Sequence, residues 1–166
     1  MTFLRVKKIK NKEYAYIVKN EWKKKSSRQK VKGYLGRVHR FSLKNDIDFL
    51  QHINAENTEH YISQNDVKKI ISDLVEWEFF RFGIDKREFD IDLSNKKIQK
   101  KNKNVVLIIN EGFMCSATLK NLVEFRAEND EENGGWKFAR AFVDAGIKVP
   151  HEIFVGLFSK IYKPGD

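Results

Sequence analysis

Three strand-like runs crowd into the first 36 residues, and the links between them leave room for little except antiparallel neighbours. They are "FLRVKKI" (3–9), "EYAYIVK" (13–19) and "QKVKGYL" (29–35). The first two are joined by "KNK", in which Asn11 suits a hairpin turn. The second link, "NEWKKKSSR" (20–28), is longer and polar. This spacing predicts an antiparallel three-stranded β-meander, about the smallest sheet that holds together. On the middle run Tyr14, Tyr16 and Val18 share one face while Ala15 and Ile17 share the other. Both faces carry apolar groups, so the alternation leaves open which one is buried.

The charge of this segment sets it apart from the rest. Residues 1–40 hold fourteen of the thirty-two Lys and Arg against two of the twenty-three acids, Glu13 and Glu21, a net +12. The other residues hold eighteen basic and twenty-one acidic side chains, a net −3, which accounts for the overall +9. A chain that is basic for solubility alone spreads its charge, whereas one basic end points to a polyanionic partner.

Beyond this segment the pattern becomes mixed. A connector over 36–44 leads to a brief helical stretch, "DIDFLQHI" (46–53), and a polar loop, 54–63. The strongest helical periodicity covers 65–82, where Val67, Ile70, Ile71, Leu74 and Val75 line one side with Glu78. Ser63 with Asp66 resembles a capping box, and Gly83 is placed to end the helix. "REFDIDL" (87–93) alternates as a half-buried strand, and the basic stretch 95–104 joins it to the apolar run "VVLII" (105–109). Helices are expected at 117–125 after Ser116, at 136–145 and at 151–162, with an acidic loop over 126–135. The fold class is therefore α+β: the meander, a central amphipathic helix, a small β element and a C-terminal helical bundle. Residues 1–40 read as a basic β-rich segment and 41–166 as an α+β domain. The boundary falls in 37–63, and a single continuous domain is the alternative.

Thirteen Phe and an aromatic content of 13% require a real core despite 33% charged residues. No apolar run is long enough to span a membrane, and the N-terminal residues lack the apolar stretch of a signal peptide. Cys115 is the only cysteine, which fits a reducing cytoplasm.

A phosphate backbone is gripped by cations that displace condensed counterions. Arg5, Lys7, Lys8, Lys10, Lys12, Lys23, Lys24, Lys25, Arg28, Lys30, Lys32, Arg37 and Arg40 supply them. Tyr14, Tyr16, Trp22 and Tyr34 supply flat apolar surfaces for bases or sugars. Edge protection of a sheet needs a few Lys and not fourteen cations in forty residues. These residues read as a nucleic-acid-binding surface for DNA or RNA. The segment "KNKEYAYIVKNEWKKKSSRQKVKGYLGRV" moreover resembles the N-terminal leader of insertion-sequence DDE transposases and of small prokaryotic proteins that share it. The likeness rests on a Lys-rich strand, a Tyr-rich strand, a basic turn, then Arg28, Gln29, Val31, Tyr34, Leu35 and Gly36. It implies nucleic-acid handling, tilted towards DNA. The remaining residues are too few for the transposases' catalytic domain, so transposition itself is not implied.

Other chemistry has weaker support. Asp90 and Asp92 project from one face of a strand, and Glu111 follows the run 105–109, so a metal-dependent nuclease is the alternative reading. The four His, at 39, 52, 60 and 151, show no metal-ligand spacing, and no Walker-type or Rossmann glycine motif occurs. No cofactor, metal or catalytic residue is expected. A further alternative is an interaction module whose basic end meets an acidic protein or ribonucleoprotein. Phe138, Phe142, Phe154 and Phe158 read as core, or as a homodimer or partner interface of the C-terminal helices.

Overall fold

The computed structural model describes residues 2–163. Seven strands form one mixed sheet: β1 (Thr2–Ile9), β2 (Lys12–Lys23), β3 (Ser26–Arg40), β4 (Asp90–Asp92), β5 (Lys97–Lys100), β6 (Lys103–Ile109) and β7 (Gly112–Met114). Its order is β1-β2-β3-β6-β5-β4, with β7 also paired to β6. Among the described residues six helices accompany it: α1 (Phe49–His52), α2 (Thr58–Gln64), α3 (Val67–Arg81), α4 (Ser116–Val123), α5 (Glu131–Asp144) and α6 (His151–Tyr162). The expected mixed α/β architecture with an N-terminal meander holds. Among the described residues no helix is long and apolar enough to cross a membrane.

Three hairpins turn on two residues in the left-handed region: Lys10-Asn11, Lys101-Asn102 and Asn110-Glu111. Turns of this kind match the twist of the flanking strands, and Asn tolerates the conformation better than most residues. All β pairs are antiparallel except β3–β6, where Arg37 to Arg40 run parallel to Val105 to Ile108. Gly36 makes that approach possible. Its φ is +129°, and a Cβ there would fall inside the carbonyl of Asn104.

Alternation along β6 divides the apolar interior into two parts. Val105, Leu107 and Ile109 join a main core with Ile70, Leu74 and Phe79 of α3, Leu119 of α4, Phe138 and Phe142 of α5, and Leu157 of α6. Val106 belongs to a smaller cluster with Ala15, Leu35, Val38 and Cys115. Phe138 and Phe142 are fully buried, and Phe154 and Phe158 pack partly buried beside them.

Local readings change in several places. The stretch 20–28 is strand rather than link, because β2 and β3 pair to within a two-residue turn, Lys24-Lys25. Its polar composition follows from having water on both faces. Residues expected as a loop contain α2, capped by Asn57 and anchored by buried Tyr61, whose hydroxyl donates to Asp73 at 2.7 Å. The basic stretch 95–104 contains β5 and its turn into β6. The N-cap of α3 is Asp66 itself, accepting from the Lys69 N–H at 2.8 Å. Cys115, rather than Ser116, occupies the N-cap of α4, and α5 begins inside the acidic stretch behind Asp130.

Glu78 and Arg81 of α3 are buried as a pair. Arg81 donates to both Glu78 oxygens at 3.1 Å, and the Lys148 N–H donates to the same carboxylate at 2.9 Å. This carboxylate ties the end of α3 to the α5–α6 connection. Burial pushes its pKa above the usual carboxylate range, opposed by Lys148 and Arg81.

Candidate nucleic-acid interface

Directly opposed residues of an antiparallel ladder project to the same face, so register sorts the basic residues. On one face Arg5 lies opposite Tyr16, Lys7 opposite Tyr14 and Ile9 opposite Lys12. Across β2, Tyr34 lies opposite Tyr16 and Arg37 opposite Tyr14. The rings confirm the arrangement, with Tyr34 at 5.3 Å from Tyr16 and 6.3 Å from Tyr14 between centroids. The Lys7 ammonium sits 5.4 Å over the Tyr16 ring, and Arg5 donates to Gln29. Tyr34 remains 59% exposed. Desolvation, and then Tyr16 and Tyr14, hold its phenol above the ordinary pKa. It therefore stays a neutral O–H donor through the physiological range.

The opposite face carries Lys8 against Glu13, Lys19 against Lys30, Glu21 against Arg28, and Lys23 against Ser26. Both acids of the first forty residues thus point away from the tyrosines. Glu13 is committed to Arg40, which donates through Nε at 2.7 Å and Nη2 at 3.0 Å. That bond holds the Glu13 carboxyl below its usual range. Glu21 lies 4.0 Å from Lys32. Among the described residues, no carboxylate lies within 4 Å of Arg5, Lys7, Lys8, Lys10, Lys12, Lys23, Lys24, Lys25, Arg28, Lys30 or Arg37.

Thr2 pairs with Lys19, so beyond that point β2 has only β3 as a partner among the described residues. Residues 20–29 therefore form a two-stranded arm whose outer four residues reach about 13 Å past β1. Lys23, Lys24 and Lys25 occupy its tip and Arg28 its flank. Trp22 shares the parity of Tyr14 and Tyr16 and is 85% exposed. Lys10 sits in the β1–β2 turn at the other end of the meander. The sequence-predicted cations thus fall into four sets: the tyrosine face, the reverse face with the arm, Lys10 in the β1–β2 turn, and Lys32 and Arg40, which are paired.

The tyrosine face continues along β3 to His39. Its ring stands edge-on to Phe89 at 5.2 Å, and Lys100 lies 4.9 Å over that same Phe89. Burial, then Lys100 and Arg37, keep the His39 pKa below the ordinary imidazole value. His39 and Gln29 belong to this surface although composition alone does not single them out, and Lys19, equally unmarked, lies on the opposite face. The signal for Lys19 and for the two acids was present as β2 parity: Glu13, Lys19 and Glu21 occupy odd positions with Ala15 and Ile17.

Asp90, Asp92 and Glu111 are not brought together. Asp90 pairs with Gln99, which pairs with Asn104 at the start of β6, while Glu111 follows Ile109 at its end. Five residues of strand, about 16 Å, separate those levels. Asp92 instead caps the β4–β5 turn, accepting from the Asn95 side chain at 2.7 Å and its N–H at 3.1 Å. Asn95 thereby holds the Asp92 carboxyl low. Among the described residues no group of three His, Cys, Asp or Glu is placed to hold a metal ion.

No protein-family model matches this chain, and neither a curated protein nor a solved structure matches it.

Proposed function

We propose that this protein binds nucleic acid, with DNA as the favoured ligand, through the tyrosine face of β1–β3 and the projecting β2–β3 arm, without acting on it as an enzyme. One observation carries the reading: unpaired cations and three tyrosines share one face, while Glu13 and Glu21 lie on the other. Arg5, Lys7, Lys12 and Arg37 supply phosphate contacts beside flat rings, and Tyr34 adds a hydroxyl donor. The arm has the width of a two-stranded ribbon, which the DNA major groove admits. Its Lys23, Lys24, Lys25 and Arg28 meet phosphates on either side of the groove. Resemblance of the N-terminal segment to transposase leaders supports DNA over RNA. The lone buried thiol of Cys115 fits a cytoplasmic setting.

Trp22 emission tests the arm directly, with a Trp22→Phe variant subtracting Trp77 and Trp136. Duplex DNA is expected to change the Trp22 signal, and added salt to restore it. An unchanged signal at saturating DNA would overturn the role given to the arm.

A further inference from the structure

At the opposite edge of the sheet from β1, a cavity of about 650 Å³ opens between α3, the β4–β5 turn and the end of α4. Ile71, Leu93 and Val123 give it an apolar floor. Lys68 and Lys69 of α3, Lys96 of the turn and Arg126 beyond α4 give it a cationic rim. The hydroxyls of Ser72 and Ser94 also line it. Two of the cations have acidic partners: Lys96 meets Glu124 at 2.8 Å, and Lys69 pairs with Asp73. Among the described residues no carboxylate lies within 4 Å of Lys68 or Arg126. Glu124 is the one acid in the lining, so the concavity keeps a net positive charge.

We infer that this cavity binds a phosphate monoester. A dianion matches the two unpaired cations, which come from separate elements, and the guanidinium of Arg126 presents the forked donors that suit phosphate oxygens. The serine hydroxyls add neutral donors, and the apolar floor accommodates the carbon side of the ester. No aromatic ring lines the cavity, so nothing there stacks a base. The ligand is a small organic phosphate or the terminal phosphate of a strand, and the recognising chemistry is the same for both. This site is separate from the tyrosine face, with three strands between β2 and β4 in the sheet.

The test is calorimetric titration of the full chain at low salt with glycerol 3-phosphate, then with oligonucleotides carrying or lacking a 5′-phosphate. Three proteins are compared: wild type, Lys68→Ala with Arg126→Ala, and a charge-reversed Lys23/Lys24/Lys25/Arg28 variant. Lys68 and Arg126 are exposed, so their replacement leaves the fold intact, which circular dichroism checks. The expected result is phosphate binding weakened at least about tenfold by the first variant and unchanged by the second. A Lys68- and Arg126-dependent preference for the 5′-phosphorylated strand alone would assign the site to strand ends. Absence of both effects, or loss only in the arm variant, overturns the inference.

Discussion

His39 stands edge-on to Phe89, and burial, then Lys100 and Arg37, disfavour its protonated form; only Glu88 opposes them. The sign of the resulting linkage follows. In the folded protein the imidazole titrates below its ordinary 6.5, so on acidification the unfolded chain takes up the proton first. Its contribution to stability is fully present above 6.5 and is lost as pH falls from there through the folded-state pKa. Urea unfolding of wild type and His39→Gln at pH 7.5 and near 5.5 is expected to show a larger acid loss in wild type. Equal pH dependence would remove this assignment. Single residues also mark the limit of sequence reading. Glu78 fell on the apolar stripe of α3, a position that periodicity records but cannot explain. Its partners, Arg81 one turn away and the Lys148 N–H seventy residues on, exist only after folding.

Among the elements, the meander and α3 were legible because their signals are local. Alternation in "EYAYIVK" and helical spacing over 65–82 depend on neighbouring residues alone. The arm was misread because its pairing leaves polar side chains on both faces, which looks like a loop. β5 was missed for a related reason: Lys101-Asn102 is a two-residue turn hidden within a basic run. The parallel β3–β6 joint has no local signature and turns on one backbone position. Gly36 has a positive φ and abuts the Asn104 carbonyl, so Gly36→Ala strains the backbone and separates the strands. A loss of about 3 kcal/mol in denaturant unfolding is expected, against a few tenths for Gly33→Ala, where a Cβ meets open space. Equal, small effects at both positions would contradict the place given to this joint.

Across the whole molecule, charge is arranged by face as well as by position along the chain. The excess of the first forty residues was plain in composition; its separation from Glu13 and Glu21 appeared with the register. Parity along β2 held that information, but its use required knowing that β2 runs unbroken from Lys12 to Lys23. The acids Asp90, Asp92 and Glu111 show the converse, since their approach required β4 to pair with β6, and β5 lies between the two. A basic face from which Glu13 and Glu21 are turned away, with an arm outside the core, can be altered without touching the core clusters. Function and stability should therefore separate.

The most direct measurement is the salt dependence of duplex DNA binding, comparing wild type with charge-reversed Lys23, Lys24, Lys25 and Arg28. About six phosphate contacts predict a roughly thousandfold loss of affinity between low and moderately high salt. The variant should bind weakly with a much flatter slope, at an unchanged unfolding midpoint. Wild-type affinity that is indifferent to salt, or a variant that binds as well as wild type, would contradict the account.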